Sequence, residues 1–412
     1  MTVVRRRPRD DLGVAQLVEV LVQAKLNCTL VLPWEDEIRV GKEDKPQVCR
    51  IVLKTEAVLR RPLTEFSLGR AYVEGDLDIE DFDPAKHAKR LFKVRDKLRS
   101  GTSPARALRL AHDIALVPPT RANARAIAEH YDPLPDDFFF TFLDKEWPLY
   151  SQGRFDGCDL VLEQAAKQKL QHAWNRLELQ PGSRVLDVGA GWGTLMRYRN
   201  ELRADVSITA LTLTKDSKKS IKKRGLPRKG YDEVLVEDLL DHRRRSYYDH
   251  VLILGVIEHI PNYARFCRRV WDALKPGGLL YLDASATREK YASSAFTRRY
   301  TWPGPHSCLD LPGMSRELTY HGFDLLEVEE NSDDYRRTMR AWGERLDDNA
   351  TQIKNRWGEH HYRTWRAFLW GGAAAFETGR LQSYTVVARK RKDKGPRPGS
   401  LRRAAQIAAS LR

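Results

Sequence analysis

Val185-Leu186-Asp187-Val188-Gly189-Ala190-Gly191-Trp192-Gly193 sets a short apolar run directly against three glycines at alternate positions. Such a run, bounded by turn residues, is the pattern of a strand buried on both faces. The glycines predict a tight turn with unusual backbone angles, leading into a helix that begins near Thr194. They also let a ligand approach the backbone, because no Cβ stands in the way. The spacing G-x-G-x-G differs from the G-x-G-x-x-G of dinucleotide-binding turns. Asp187, just before the glycines, is expected to make a polar contact to this loop rather than to serve as a plain helix cap.

Upstream, Leu162, Ala166, Leu170, Ala173 and Leu177 recur at three-to-four spacing, which predicts an amphipathic helix ended by Pro181-Gly182. Downstream, residues 206–213, 233–238, 248–259 and 278–285 are apolar strand candidates separated by helix-like stretches, and 381–390 would be a final strand. This alternation predicts a Rossmann-like α/β domain over residues 121–390, a mostly parallel sheet with helices on both faces. Residues 28–33 and 47–54 read as short β-branched strands followed by helical segments. They predict a smaller α+β N-terminal domain with a small core. Together with a linker carrying Gly101, Pro104, Pro118 and Pro119, it fills residues 1–120. Residues 391–412 are dominated by Lys, Arg, Pro and Gly, and are expected to form a basic, flexible tail.

The chain has 412 residues and a formal charge of +15, which implies attraction to a polyanion: nucleic acid, anionic lipid headgroups or an acidic carrier. The aromatic and heptad signatures of nucleic-acid modules do not appear, so no nucleic-acid partner is expected. No apolar stretch reaches the about 18 residues of a membrane-spanning helix, and the N-terminus lacks the apolar region of a secretion signal. The cytoplasm is the expected location. Cys28, Cys49, Cys158, Cys267 and Cys308 lack C-x-x-C spacing, so neither disulfides nor a metal site is indicated.

The glycine-rich turn resembles motif I of class I methyltransferases, whose loop packs against S-adenosylmethionine. More narrowly, the chain resembles the cyclopropane-fatty-acid synthase family, which includes the mycolic acid cyclopropane synthases. The likeness runs from about His130 to Arg389, with a weaker part at Leu68-Gly69-Arg70-Ala71-Tyr72-Val73-Glu74-Gly75. It is carried by His130-Tyr131-Asp132, Phe142-Leu143-Asp144, Tyr150-Ser151, Gly191-Trp192-Gly193, Thr212-Leu213-Thr214, Ile257-Glu258-His259-Ile260 and Lys275-Pro276-Gly277-Gly278, in that order.

The resemblance implies cofactor contacts by Tyr150, Ser151, Asp187, Gly189, Gly191, Gly193, Thr212 and Leu213, with Glu237 and Asp238 near the adenine. It implies methyl transfer to a lipid double bond and loss of a proton from the resulting carbocation, giving a cyclopropane or a methylene branch. Such a cation must be kept from water and faced by aromatic rings or carboxylates. Trp302, Tyr335, Trp342, Trp365 and Trp370 fall where the family builds its acyl pocket, Glu258 is the implied catalytic-site glutamate, and Tyr335 the tyrosine that helps hold the base. Two positions depart from the family pattern. Gln152 replaces a cysteine and Asp283 replaces a histidine, both of which help bind a bicarbonate that accepts the proton. A carboxylate at Asp283 repels that anion, which puts bicarbonate in doubt and makes Asp283 itself a candidate catalytic residue.

The favoured reading is a C-methyltransferase of unsaturated acyl chains of phospholipids or other lipids, drawn to anionic membranes by its basic surface and tail. Self-association into a homo-oligomer is left open. Methylation of a small amine or another non-lipid acceptor is an alternative, since one scaffold serves several acceptors. So is a catalytically inactive cofactor- or lipid-binding paralogue.

Overall fold

The computed structural model describes residues 8–98, 134–260, 262–292, 294–302, 306–393 and 401. The expected linker, the His130-Tyr131-Asp132 motif and nearly all of the basic tail lie outside the described residues. The chain divides into two compact units. The sheet unit comprises Leu170–Ala284, Leu309–Glu330 and Tyr384–Arg412; the helical unit comprises Met1–Lys169, Ser285–Cys308 and Asn331–Ser383.

The helical unit opens with a four-stranded sheet of β1 (Cys28–Val31), β2 (Glu37–Val40), β3 (Cys49–Leu53) and β4 (Leu77–Glu80), in the order β2-β1-β3-β4. β1 and β3 are parallel, and the other described pairs are antiparallel. The expected strands at 28–33 and 47–54 are β1 and β3, each shorter than the sequence suggested. Alternate residues Cys28, Leu30, Cys49, Ile51 and Leu53 point into a core that also takes Leu17 and Leu21 from the first helix and Leu63, Ala71 and Leu77 further on. That core is larger than the apolar content of the two recognised strands implied. β2 carries only two apolar residues and β4 alternates Leu and Ile with acids, so neither stands out in the sequence. Thr64 and Ser67 close a reciprocal capping box on helix Glu65–Glu74, and Gly75 ends it in the left-handed region at φ 84°.

In the sheet unit, β5 (Ser183–Val188), β6 (Val206–Thr212), β7 (Glu233–Val236), β8 (Tyr248–Leu254), β9 (Leu274–Ala286), β10 (Phe323–Glu330) and β11 (Gln382–Lys390) form one sheet in the order β10-β11-β9-β8-β5-β6-β7. β5, β6, β7, β8 and β9 run parallel, and β10 pairs antiparallel with β11. The order reverses between β6-β5 and β5-β8, which is where doubly wound sheets open a crevice beyond the strands' carboxyl ends. β5, β6 and β8 are buried almost throughout, as parallel strands covered on both sides must be. The single strand expected over 248–259 ends at Leu254, and Ile257–His259 forms a 3₁₀ turn instead. β10 was not foreseen, because Asp324, Glu327, Glu329 and Glu330 break up its apolar residues.

A buried ion pair ties the β6 side of this sheet together. The Asp232 carboxylate accepts from Arg199 Nη1 at 2.9 Å and Nη2 at 2.5 Å, and from the backbone N–H of Ile208 at 2.9 Å and Arg228 at 2.7 Å. Both side chains of the pair are fully buried. Asp232→Ala leaves the Arg199 guanidinium uncompensated, and urea unfolding should show a stability loss of about 3–5 kcal/mol; a loss below about 1 kcal/mol would refute this role.

Candidate functional site

The crevice side of the sheet unit is built at five strand ends. β5 runs out at Val188, which is level with Leu211 of β6 and Ile253 of β8. Thr212 is paired with Val236 of β7, and Leu254 of β8 with Asp283 of β9. This register brings Asp187, Gly189, Gly191, Gly193, Thr212, Leu213, Glu237, Asp238, Glu258 and Asp283 to one edge of one sheet.

The three glycines of the first turn have φ of 73°, 53° and 79° for Gly189, Gly191 and Gly193, all left-handed. Their reasons differ. A Cβ on Gly189 would lie 2.3 Å from Val256 Cγ2, and one on Gly193 2.9 Å from Leu226 Cδ1, so the protein itself forbids side chains there. A Cβ on Gly191 would meet nothing within 4 Å. Gly191 therefore borders open space at the mouth of the crevice, a cradle that a side chain would fill and a ligand can enter. The loop is fixed from below by Gly189 and Ala190 N–H groups donating to Leu211 O at 3.0 and 2.9 Å.

Asp187, one residue from the end of β5, is buried, and burial alone pushes its carboxyl up to about 7. A cationic ligand is the natural counter-charge for such a group. Open backbone and an acid short of compensation fit the sulfonium and ammonium of S-adenosylmethionine, the cofactor the sequence resemblance implies.

Of the residues expected near an adenine, Glu237 continues the β6–β7 ladder by donating its N–H to Thr212 O at 2.9 Å. Its carboxylate lies 3.1 Å from His242 Nδ1, and His242 Nε2 is 2.9 Å from Tyr248 Oη. Asp238 accepts from Leu240 N–H at 2.7 Å and shapes its own turn. Thr214 caps the helix after β6 by accepting from Ser217 N–H.

Glu258 and His259 are buried in the 3₁₀ turn after β8, and burial lowers the His259 imidazole to about 4, so it is neutral at physiological pH. Asp283 is wholly buried. Its backbone carbonyl accepts from Gly255 N–H at 3.0 Å and its carboxylate Oδ1 from the same N–H at 3.1 Å. Asp283 thus grips the loop that carries Val256 and Glu258.

The helical unit gathers Tyr150, Ser151 and the aromatic residues. The Tyr150 ring stacks on Trp302 at 5.8 Å and lies 5.6 Å from Trp342, 6.1 Å from Trp365 and 5.8 Å from Phe139. The Trp370 indole N–H donates to Asp347 at 3.0 Å and the Trp370 ring fills the space beside Gly343, so this side chain is packing between two helices. Tyr335 stacks face to face on Phe376 at 4.5 Å, while its neighbour Asp334 accepts from Phe155 N–H and Thr338 accepts from Gly153 N–H, both at 2.9 Å. The chain after Ser151 is thereby pinned to helix Ser332–Asp348.

One residue escaped the sequence reading. Lys169, buried, donates from Nζ to Ser151 Oγ at 2.7 Å and to Gln152 Oε1 at 3.5 Å. It sits three residues after Ala166 and four before Ala173, so it is a charge on the apolar stripe of its helix. That misplacement was the available signal. The buried ammonium stands beside Gln152, one of the two positions where the family pattern is broken.

A family model described as mycolic acid cyclopropane synthetase matches residues 119–386. A "probable fatty acid methyltransferase" of Pseudomonas putida is 28% identical over 393 residues, covering 92% of this chain and 95% of that protein. The cyclopropane-fatty-acyl-phospholipid synthase of Escherichia coli K12 is 29% identical over 263 residues, 63% of this chain and 66% of that one. The solved structure of the cyclopropane synthase MmaA2 from Mycobacterium tuberculosis aligns with a TM-score of 0.60 at 26% identity, over 65% of this chain and 98% of that one.

Two outcomes are expected by calorimetry. Gly191→Ala should leave a folded protein, at a backbone cost of about 1–2 kcal/mol, yet weaken S-adenosylmethionine binding at least tenfold (on the order of 1.4 kcal/mol); unchanged affinity would overturn the cradle. The raised Asp187 carboxyl makes the second testable. Its ionised form is disfavoured in the free protein and favoured beside a cation, so binding should expel a proton and tighten as pH rises through about 7. Asp187→Asn should flatten that profile; a profile that stays steep would place the titrating group elsewhere.

Proposed function

The chain belongs to the mycolic acid cyclopropane synthetase family, and from that premise we propose that it methylates the double bond of an unsaturated acyl chain in a membrane lipid. It is a methyltransferase that uses S-adenosylmethionine, on a class I Rossmann-like fold. The cofactor supplies an electrophilic methyl group. The new carbon–carbon bond takes the π electrons of the alkene, the carbon–sulfur bond breaks, and the second alkene carbon is left cationic until a proton departs. The product is one CH₂ heavier than the substrate, whether it closes to a cyclopropane or keeps a branch.

Each group then has a role in this reading. Gly189, Gly191 and Gly193 give the cofactor its cradle, with Asp187 as counter-charge. Tyr150, Ser151, Thr212, Leu213, Glu237 and Asp238 complete its surroundings. Tyr150, Trp302, Trp342 and Trp365 offer aromatic faces to a cation and exclude water from it. Asp283, with Glu258 and Tyr335, takes the place of an external bicarbonate, as the internal anion that accepts the proton or stabilises the cation. The observation that carries this last assignment is the complete burial of Asp283 at the carboxyl end of β9, where it also holds the Glu258 loop through Gly255. Residues 121–390 act as the methyltransferase domain, with residues 1–120 as a smaller N-terminal domain and linker whose described part shares one compact unit with Ser285–Cys308 and Asn331–Ser383.

No helix among the described residues is long and apolar enough to cross a membrane. Contact with lipid then rests on the basic surface and tail, each Lys or Arg near an anionic headgroup contributing about 1 kcal/mol.

The decisive experiment supplies vesicles of unsaturated anionic phospholipid and S-adenosylmethionine to the full chain and weighs the acyl chains. Wild type should yield chains one CH₂ heavier with no bicarbonate added, and should yield fewer of them at high salt. Asp283→Asn keeps an acceptor for Gly255 but loses the charge, and turnover should fall about 10²–10⁴-fold with cofactor affinity intact. Bicarbonate-dependent wild-type activity with a full-rate Asp283→Asn variant would refute the assignment, and unmodified lipid beside a methylated small amine would refute the lipid reading.

A further inference from the structure

We propose that His172, Glu327 and Glu329 form a divalent-cation site, of the kind that takes zinc, on the sheet unit and built from residues that the methyl-transfer reading does not use. One ligand atom from each lies within 4.8 Å of the others. The two glutamates are two apart on β10 and so face the same side of the sheet, while His172 comes from helix Leu162–Arg176. All three residues belong to the same compact unit.

Three features distinguish this from an ordinary surface ion network. First, the His172 ring is oriented by a second partner: Nδ1 lies 3.1 Å from Tyr281 Oη, with the two rings edge to face. The tautomer that donates Nδ1–H to Tyr281 turns the Nε2 lone pair toward the carboxylates, which is how metal-bound histidines are held. Second, Nε2 lies 3.8 Å from Glu329 Oε2, too long for a hydrogen bond. It suits two ligands sharing an ion at about 2.0–2.2 Å from each. Third, the groups are sheltered, with side chains 13% exposed for His172, 28% for Glu327 and 30% for Glu329, so their charges are not fully dissipated by water.

Arg176 belongs to the site as a neighbour of a ligand. Its Nε donates to Glu327 Oε2 at 2.9 Å, which orients that carboxylate and leaves the group of two glutamates and one arginine with a net negative charge. A divalent ion reverses that sign, and a water would complete the coordination in the manner of three-ligand zinc sites. The ion would fasten helix Leu162–Arg176 to β10, an edge strand of the sheet that is only half-buried over most of its length.

The test is titration of the metal-free full-length protein with Zn²⁺ alone, by calorimetry and by thermal unfolding. One Zn²⁺ should bind per chain and raise the unfolding temperature, as any ligand selective for the folded state does. His172→Ala and Glu329→Gln should each weaken binding at least about tenfold and abolish the rise, with S-adenosylmethionine affinity unchanged. Wild-type protein that takes up no stoichiometric Zn²⁺ or shows no thermal shift would overturn the proposal, as would uptake that survives in both variants. Should His172→Ala fail to fold, Glu329→Gln and the wild-type thermal shift still decide it.

Discussion

A parallel sheet covered on both faces leaves almost no place for a polar side chain except at its ends, and the chemistry of this protein follows from that constraint. β5, β6 and β8 are buried nearly throughout, so water cannot reach their midsections. The residues able to bind or react are expelled to the carboxyl edge, where the strand register lines them up. Those that remain buried carry the cost of desolvation. Asp187 has its acidity weakened by about three powers of ten from the ordinary aspartate value of 3.8 to about 7, and His259 is held neutral. Burial that weakens an acid also sharpens its response to a charge brought alongside, because little water is present to screen the pair. The same packing that makes the sheet stable therefore prepares its edge to answer a cationic ligand.

The glycine turn shows why part of this was readable from sequence and part was not. A run of apolar residues against three glycines specifies strand, turn and helix, and the turn forms where expected, with the next helix beginning at Thr194. What the letters cannot tell is that Gly189 and Gly193 are required by Val256 and Leu226, which come from distant parts of the chain, whereas only Gly191 looks onto free space. β10 was missed for a related reason. It is an edge strand in which acids are interspersed with apolar residues, Leu326 and Val328 lying exposed while Glu327 and Glu329 are half-buried, so its signal is weak in any window of sequence, and pairing with β11 is what makes it a strand. Contacts that depend on such pairing, among them the approach of Glu327 and Glu329 to His172, are visible only after folding.

Lys169 is the opposite case, since the helix period alone marks it as out of place. A lysine on an apolar stripe either reaches the surface along its stem or finds acceptors inside, and this one donates to Ser151 and Gln152. Its effect is to fix the turn after Tyr150, while Thr338 and Asp334 fix the next residues from another helix. The aromatic cluster around Tyr150 consequently rests on a polar frame. Rings alone would pack in several ways at similar energy, and hydrogen bonds to the adjoining backbone select one.

The two departures from the family pattern are best understood together. A histidine and a cysteine can cooperate around a bound anion, but an aspartate in the histidine's place brings its own negative charge, and a second anion beside it would have to overcome their repulsion in a site with little screening. An anion that is covalently part of the strand needs no binding step. It must instead be kept in position, and the Gly255 N–H does this by donating to both the backbone carbonyl and the side-chain carboxylate of Asp283. Because Gly255 opens the loop that presses Val256 against Gly189, displacement of Asp283 would be felt at the glycine turn as well as at Glu258. Asp283, the turn carrying Glu258 and the glycine turn are in this way parts of one continuous framework.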